Sequence, residues 1–159
     1  MSKSLARVRA ALRAAGIPAE PVESRVPTRT AAEAAAGIGV ETDQIGKAIV
    51  FVGGTSGAPL LFLTAGSRRV DLDRAAALAG EALGRADAAA IRALTGFAIG
   101  GVAPLGATGP LRGFMDRRLF DFDTIWCAAG TPRHNFPAAP AALARATGAE
   151  IGDFARPAG

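Results

Sequence analysis

The chain is expected to fold as an α+β domain, with one mixed, mainly antiparallel sheet flanked by helices. Three observations predict this. Apolar runs rich in β-branched residues, notably Ile45–Val52 and Leu60–Thr64, fit strands. Segments with apolar residues at helical spacing, opened by Thr or Asp and closed by Gly, fit helices. The two kinds follow one another without the regular βαβ alternation of a doubly wound sheet. The 159 residues are 50% hydrophobic and 20% charged, enough apolar material for one core. No repeat or linker interrupts them, so residues 1–159 read as a single domain.

Element by element, Ser4–Ala15 predicts a helix with Leu5, Val8 and Leu12 on one face and Gly16 as its stop. Pro21–Val26 alternates like a half-buried strand ended by Pro27. Thr30 caps a short Ala-rich helix, Ala31–Ala36, closed by Gly37. Ile45–Val52, the turn Gly53–Gly57 and Leu60–Thr64 make a hairpin. Asp71 starts a helix through Ala79, and Asp87 starts another through Leu94, ended by Gly96. From Phe97 to Gly113 the chain has five Gly and two Pro, which fits a long irregular loop; such loops in compact domains are often functional. Leu111–Asp116 and Thr124–Ala129 are strands, Asn135-Phe136 a short one before Pro137, Pro140–Thr147 a last helix, and Glu150–Phe154 a terminal segment.

Composition narrows the function classes. One Cys excludes a disulfide framework, and one Cys with one His excludes the usual structural zinc site. No apolar run approaches the roughly 20 residues of a membrane span. The N-terminus spaces its charges along a helix without an apolar signal region, so the expected location is the cytoplasm. The net charge of +4 permits a polyanionic partner without demanding one. Of the 18 basic residues only Lys3 and Lys47 are Lys, which makes a lysine inside an apolar strand conspicuous.

Several familiar signatures fail on inspection. Gly46-Lys47 is followed by Ala48, and Glu41 stands where a P-loop needs Gly. Gly37-Ile38-Gly39 meets Thr42 where a dinucleotide fingerprint needs its third Gly. Around Ser56 the second Gly of a nucleophile elbow is displaced, and His134 alone leaves a Ser-His-acid relay without an evident nucleophile. Cys127 lies in an apolar strand, as a buried inert thiol does. Lys47 has two readings. It is either an edge-strand lysine reaching solvent or an ammonium in a partly desolvated cleft, able to polarise a carbonyl. The loop Gly96–Gly106 is either a plain connection or, with Gly100-Gly101 and Pro104, a wall where backbone approaches a ligand.

An ordered set of short motifs bears on both alternatives. Gln44-Ile45-Gly46-Lys47 enters a strand, and Arg69-Val70-Asp71-Leu72 opens a helix. Thr95-Gly96-Phe97 leads to Gly100-Gly101-Val102-Ala103-Pro104-Leu105-Gly106, Asp116 ends a strand, and Asp123-Thr124-Ile125-Trp126, Ala129-Gly130, Pro140 and Leu143 follow. In this order and spacing, the chain from about Thr42 to Phe154 resembles the YbaK/ProX-type aminoacyl-tRNA deacylases, which include the editing domain of bacterial prolyl-tRNA synthetases.

The resemblance implies that family's α+β fold and hydrolysis of the ester joining a mischarged small amino acid to tRNA. Substrates of the tRNA(Pro) type come first, and the enzyme would be freestanding, without cofactor or metal. It implies Lys47 as the central active-site residue and the Gly100–Pro104 loop as lining of the aminoacyl pocket, with Gly101 and Val102 between. Gly130, His134 and Asn135 follow as candidate substrate contacts, His134 as a gate or contact and Asn135 toward the substrate amine; the plain reading of His134 is an exposed loop residue beside Arg133. Relatives acting on cysteinyl-tRNA carry Ser-Gly-Gly where this chain has Ala128-Ala129-Gly130, and Ala103 stands where Ser is frequent. Both departures weigh against a cysteine-specific pocket. The implied partners are aminoacyl-tRNA and, where one recruits it, an aminoacyl-tRNA synthetase, with no DNA and no membrane. Arg68-Arg69 and Arg117-Arg118 are candidate phosphate contacts. The rival class is a non-catalytic module of the same fold that binds tRNA or a small ligand, and a third is hydrolysis of another small ester or thioester.

Overall fold

Caps and glycines delimit the helices as the local chemistry dictates. In the computed structural model, which describes residues 2–25 and 28–158, Ser2 caps α1 (Lys3–Ala14) by accepting from Leu5 N, and Leu5, Val8 and Leu12 are buried. Thr30 caps α2 (Ala31–Ile38), Asp71 caps α3 (Leu72–Ala79) and Asp87 caps α4 (Ala88–Thr95), each accepting from the N–H three residues on. Pro at the first position opens α5 (Pro140–Thr147). The second helix runs through Gly37 and stops only at Gly39, which takes the left-handed conformation at φ +90 that ends the helix.

The strands are β1 (Val22–Glu23), β2 (Ile45–Gly53), β3 (Pro59–Ala65), β4 (Arg68–Val70), β5 (Leu83–Arg85), β6 (Arg112–Asp116), β7 (Ile125–Ala128), β8 (His134–Ala138), β9 (Glu150–Gly152) and β10 (Ala155–Pro157). The main sheet runs β1-β8-β7-β2-β3-β6-β9, with β5 also on β2, and β4 pairs separately with β10. It is mixed: β2–β3, β2–β5, β7–β8 and β1–β8 are antiparallel, whereas β2–β7, β3–β6 and β6–β9 are parallel. All seven residues of the central β3 are buried, because helices cover both of its faces.

The two faces carry separate cores. Val8, Leu12, Leu61, Leu63, Met115, Ile125 and Phe136 pack on one side with Ile91 of α4 and Leu143 of α5. Phe51, Leu60, Phe62, Phe114 and Phe154 pack on the other with Ala75 and Ala79 of α3. Phe62 and Phe114 stack with ring centroids 4.5 Å apart.

Three further expectations need correction, and three short strands were not among them. The strand expected over Pro21–Val26 is only Val22–Glu23, both exposed, which forms the edge of the sheet beside β8; Val26 and Pro27 lie outside the described residues. Pro137 does not end a strand but lies within β8, opposite Trp126. The three-residue strands β4, β5 and β10 are too short to show periodicity in sequence. Finally, β2 is an interior strand, not an edge, yet it opens locally. β7 pairs only with Ile45 and Gly46, and β5 only with Phe51–Gly53. Over residues 47–50 that side of β2 has no strand partner among the described residues.

Candidate active site

Lys47 lies at this opening. Strand alternation sends it to the same face as Ile49 and Phe51, while Gly46 and Ala48 turn to the other. Its Nζ donates to the carbonyl of Arg68, the first residue of β4, at 2.6 Å and to the carbonyl of Gly66, in the turn before it, at 3.4 Å. Two carboxylates hold that turn. Asp43 Oδ1 accepts from Ser67 N at 2.9 Å and Ser67 Oγ at 2.6 Å. Asp116, 1% exposed, accepts from Ala65 N at 3.1 Å. Arg68 Nε lies 3.4 Å from Asp116 Oδ2, an ion pair without hydrogen-bond geometry, and Arg68 Nη2 donates to the Ala155 carbonyl. Gly66 is required here because a Cβ would run into the Thr42 carbonyl oxygen.

This half-buried setting tunes the charges. Burial moves the Lys47 ammonium below the ordinary lysine range, and the Asp43 charge pulls part of the way back. Burial alone would raise the Asp43 carboxyl, but hydrogen bonds from Ser67 and Arg118 together outweigh it and hold the group below its usual value. An ammonium has three N–H donors. The two carbonyls occupy two, which leaves one for a ligand.

Lys47 forms part of the wall of a groove of about 820 Å³. Gly46, Ala48 and Ala128 are on its sheet side, Gly100 and Val102 on its loop side, and Asn135 at its end. Among the described residues its lining side chains include two cations, Arg29 and Lys47, and no acid. The structure thus brings together Lys47, Gly100, Val102 and Asn135 of the residues singled out from sequence. It places the other four behind the groove. Gly101 donates its N–H to the Ala98 carbonyl at 2.9 Å, and a Cβ on it would meet Thr131 backbone at 2.8 Å. Gly130, at φ +94, packs on the Ser4 carbonyl of α1. Pro104 lines a small void on the core side with Leu61 and Leu63. His134 is a strand residue paired with Glu23, and its Nδ1 lies 2.6 Å from Thr131 Oγ1.

Two supports had no sequence signal. Arg7 of α1 donates to the Gly106 carbonyl at 3.1 Å and the Gly96 carbonyl at 2.7 Å, and lies over the Phe97 ring. It ties together the two ends of the glycine-rich loop. Thr30, Ala31 and Ala34 of α2 form the wall facing Lys47; the cap at Thr30 could have placed this helix, but not its position across the groove. Of the arginine pairs, Arg68, Arg117 and Arg118 are each within ion-pair distance of a carboxylate, Asp116, Asp153 and Asp43 respectively. They serve the fold. Only Arg69 of the four is left without such a partner among the described residues. Cys127 is buried and its thiol is pushed up to about 12 by burial, as an inert core thiol should be. Among the described residues no group of three His, Cys, Asp or Glu is arranged to hold a metal ion, and no helix is long and apolar enough to cross a membrane.

Known proteins align with this architecture. No curated protein matches the chain. One solved structure, of a protein put forward as a trans-editing enzyme for prolyl-tRNA synthetase, is 43% identical, covers 98% of this chain and 99% of its own, and superposes with a TM-score of 0.91. A scaffold used for computational epitope grafting is 42% identical over 98% and 99% of the two chains, also at 0.91. A protein of unassigned function is 28% identical over 94% and 99%, at 0.87. The profile of the aminoacyl-tRNA editing domain matches residues 25–152, which span the open side of β2, both groove loops and Asp116. The chain therefore belongs to the aminoacyl-tRNA editing domain family.

Proposed function

We propose that this protein is a freestanding deacylase that hydrolyses the ester of a mischarged small amino acid on tRNA, tRNA(Pro)-type substrates foremost. The carrying observation is Lys47, anchored on two carbonyls with a donor to spare, facing a backbone loop across a groove that has no acid among its described residues. An aminoacyl ester is already activated, so water, assisted by the neighbouring ribose hydroxyl, suffices as nucleophile. The task left to the protein is to hold the carbonyl and stabilise the oxyanion that develops on it. The third Lys47 N–H supplies one donor. The Gly100 and Val102 N–H groups, which have no protein acceptor among the described residues, supply others, whereas the Gly101 N–H is committed to Ala98. Ser67 also lines the groove, but its hydroxyl donates to Asp43, whose carboxylate receives two hydrogen bonds from this same residue and so fixes it in the turn. It is a turn residue and no nucleophile.

The amino acid is sorted by room. One methylene is worth about 1–3 kcal/mol in an apolar pocket, so the site discriminates mainly by excluding large side chains. The similarity to a protein put forward as acting for prolyl-tRNA synthetase supports tRNA(Pro) as the first carrier to test. Action in the cytoplasm, beside the synthetase, follows from that substrate.

The test is hydrolysis of labelled aminoacyl-tRNAs, with Ala, Ser, Thr and Cys on tRNA(Pro) and on their cognate tRNAs. Wild type should turn over at least one small-residue ester, and Lys47→Ala should lose about 10²–10³ in kcat/KM. No turnover across the panel, with salt-sensitive tRNA binding intact, would refute the enzyme and establish the binding module instead.

A further inference from the structure

A second cavity adjoins the first at Lys47. Its volume is about 350 Å³, within the range of roughly 300–1,000 Å³ usual for small-ligand sites. The opening of β2 joins them, since Gly46, Lys47 and Ala48 face the large groove and Lys47, Ile49 and Phe51 face the smaller cavity. The small cavity is apolar at its base and cationic at its rim. Val70 and the half-exposed Leu72 complete an apolar surface with Ile49 and Phe51, while Arg69 and Arg85 stand at its edges.

Neither guanidinium has a hydrogen-bond or ion-pair partner among the described residues. Arg69 is also directly opposite Arg156 in the β4–β10 pair. Like charges in such register destabilise a sheet unless an anion lies between them. A flat apolar surface rimmed by unpaired arginines fits a nucleotide, with its base on the apolar floor and its phosphate on the guanidinium groups.

We propose that this cavity seats a nucleotide of the single-stranded 3′ end of the tRNA, while the aminoacyl group occupies the larger groove and Lys47 sits at their junction. The proposal rests on the deacylase reading and extends it. A substrate joined by one ester needs two compartments that meet at the reacting carbonyl, and the two cavities share only Lys47. Bound in this way, the RNA contributes affinity before and during the reaction alike, and so acts on KM more than on kcat.

The probes are the trinucleotide CCA and 5′-AMP, titrated into isotope-labelled protein and followed by NMR, in wild type, Leu72→Ser and the double variant Arg69→Ala/Arg85→Ala. All three substituted side chains are exposed, so the fold should persist, and the spectra report it directly. CCA is expected to shift the amides of Val70, Leu72 and Arg85, to bind more tightly than 5′-AMP, and to bind about tenfold more weakly to the double variant. On the aminoacyl-tRNA that wild type hydrolyses, the double variant should raise KM about tenfold with kcat within about twofold. Its salt slope should be shallower by about 1.4, as expected for two lost phosphate contacts to a single strand.

CCA shifts confined to the large groove, or an unchanged KM in the double variant, would overturn the proposal. Equal or tighter binding of 5′-AMP with KM untouched would also overturn it, in favour of a free nucleotide. The two readings fail separately. CCA seated in the cavity with no ester hydrolysed refutes the deacylase and leaves the RNA site. Hydrolysis that is indifferent to the double variant refutes the site and leaves the deacylase.

Discussion

Replacing Gly101 by Ala tests how the groove is built. Gly101 is not at positive φ, so alanine meets no backbone strain there. The obstacle is contact: the added Cβ would lie 2.8 Å from both Thr131 Cα and Thr131 C, all of it backbone. Carbon atoms rest at about 3.5–4.0 Å, so the two loops must part by about 0.7–1.2 Å. Overpacking of this kind costs about 1–3 kcal/mol, which for a chain of this size lowers Tm by about 2–4 °C per kcal/mol. The functional loss should be larger in proportion. Gly100 and Val102 lie on one loop, and Thr131 leads into Asn135 on the other, so parting them widens the groove at its reacting end. A misplacement of about 1 Å can cost about 10²-fold in rate. Gly57→Ala is the control, since Gly57 has φ +69 with open space around it, far from the groove. It should lose about 1–2 kcal/mol through backbone strain alone and keep full activity. Melting curves and kcat/KM on the hydrolysed aminoacyl-tRNA decide the matter. Equal activity in Gly101→Ala and Gly57→Ala would refute the claim that the loop contact sets the groove.

Two further outcomes follow from the electrostatics. If the Lys47 ammonium is the working form, activity corrected for uncatalysed hydrolysis falls as pH rises through its pKa, and burial places that alkaline limb below the ordinary lysine range. Asp43→Asn removes the charge that supports the ammonium, so the limb should move to still lower pH; a limb that stays put or moves up would contradict the assignment. Cys127, buried with its thiol pushed up to about 12, should resist alkylation by iodoacetamide in the native protein and react only on unfolding, as mass spectrometry would record.

Much of the fold is legible in the chain because its causes are local. Asp71 and Asp87 cap helices through bonds to residues three positions on, and the apolar run 45–52 declares a strand by composition. Lys47 and the Gly100–Val102 loop stand out as residue types that a plain core would not choose. The family resemblance, legible in motif order, names residues of the groove, whereas Arg69-Val70-Asp71-Leu72, also among its motifs, gives no sign in sequence that a second cavity lies there.

The rest depends on contacts that sequence distance conceals. Lys47 is fixed by carbonyls 19 and 21 residues away, Ala65 by a carboxylate 51 residues away, and the glycine-rich loop by Arg7 across 89 and 99 residues. Gly101, Gly130, Pro104 and His134 looked like pocket residues from their place in a motif, yet Gly101 and Gly130 pack against other backbone, Pro104 faces a void on the core side and His134 is held at Thr131 Oγ1. The sequence by itself determined the strands, the caps and the presence of one anomalous lysine, because period and hydrogen bonds between near neighbours suffice for these. Only the tertiary structure decided that β2 parts from β7 and β5 around that lysine, leaving two cavities that share it in their walls, because such an opening arises from how distant segments pack.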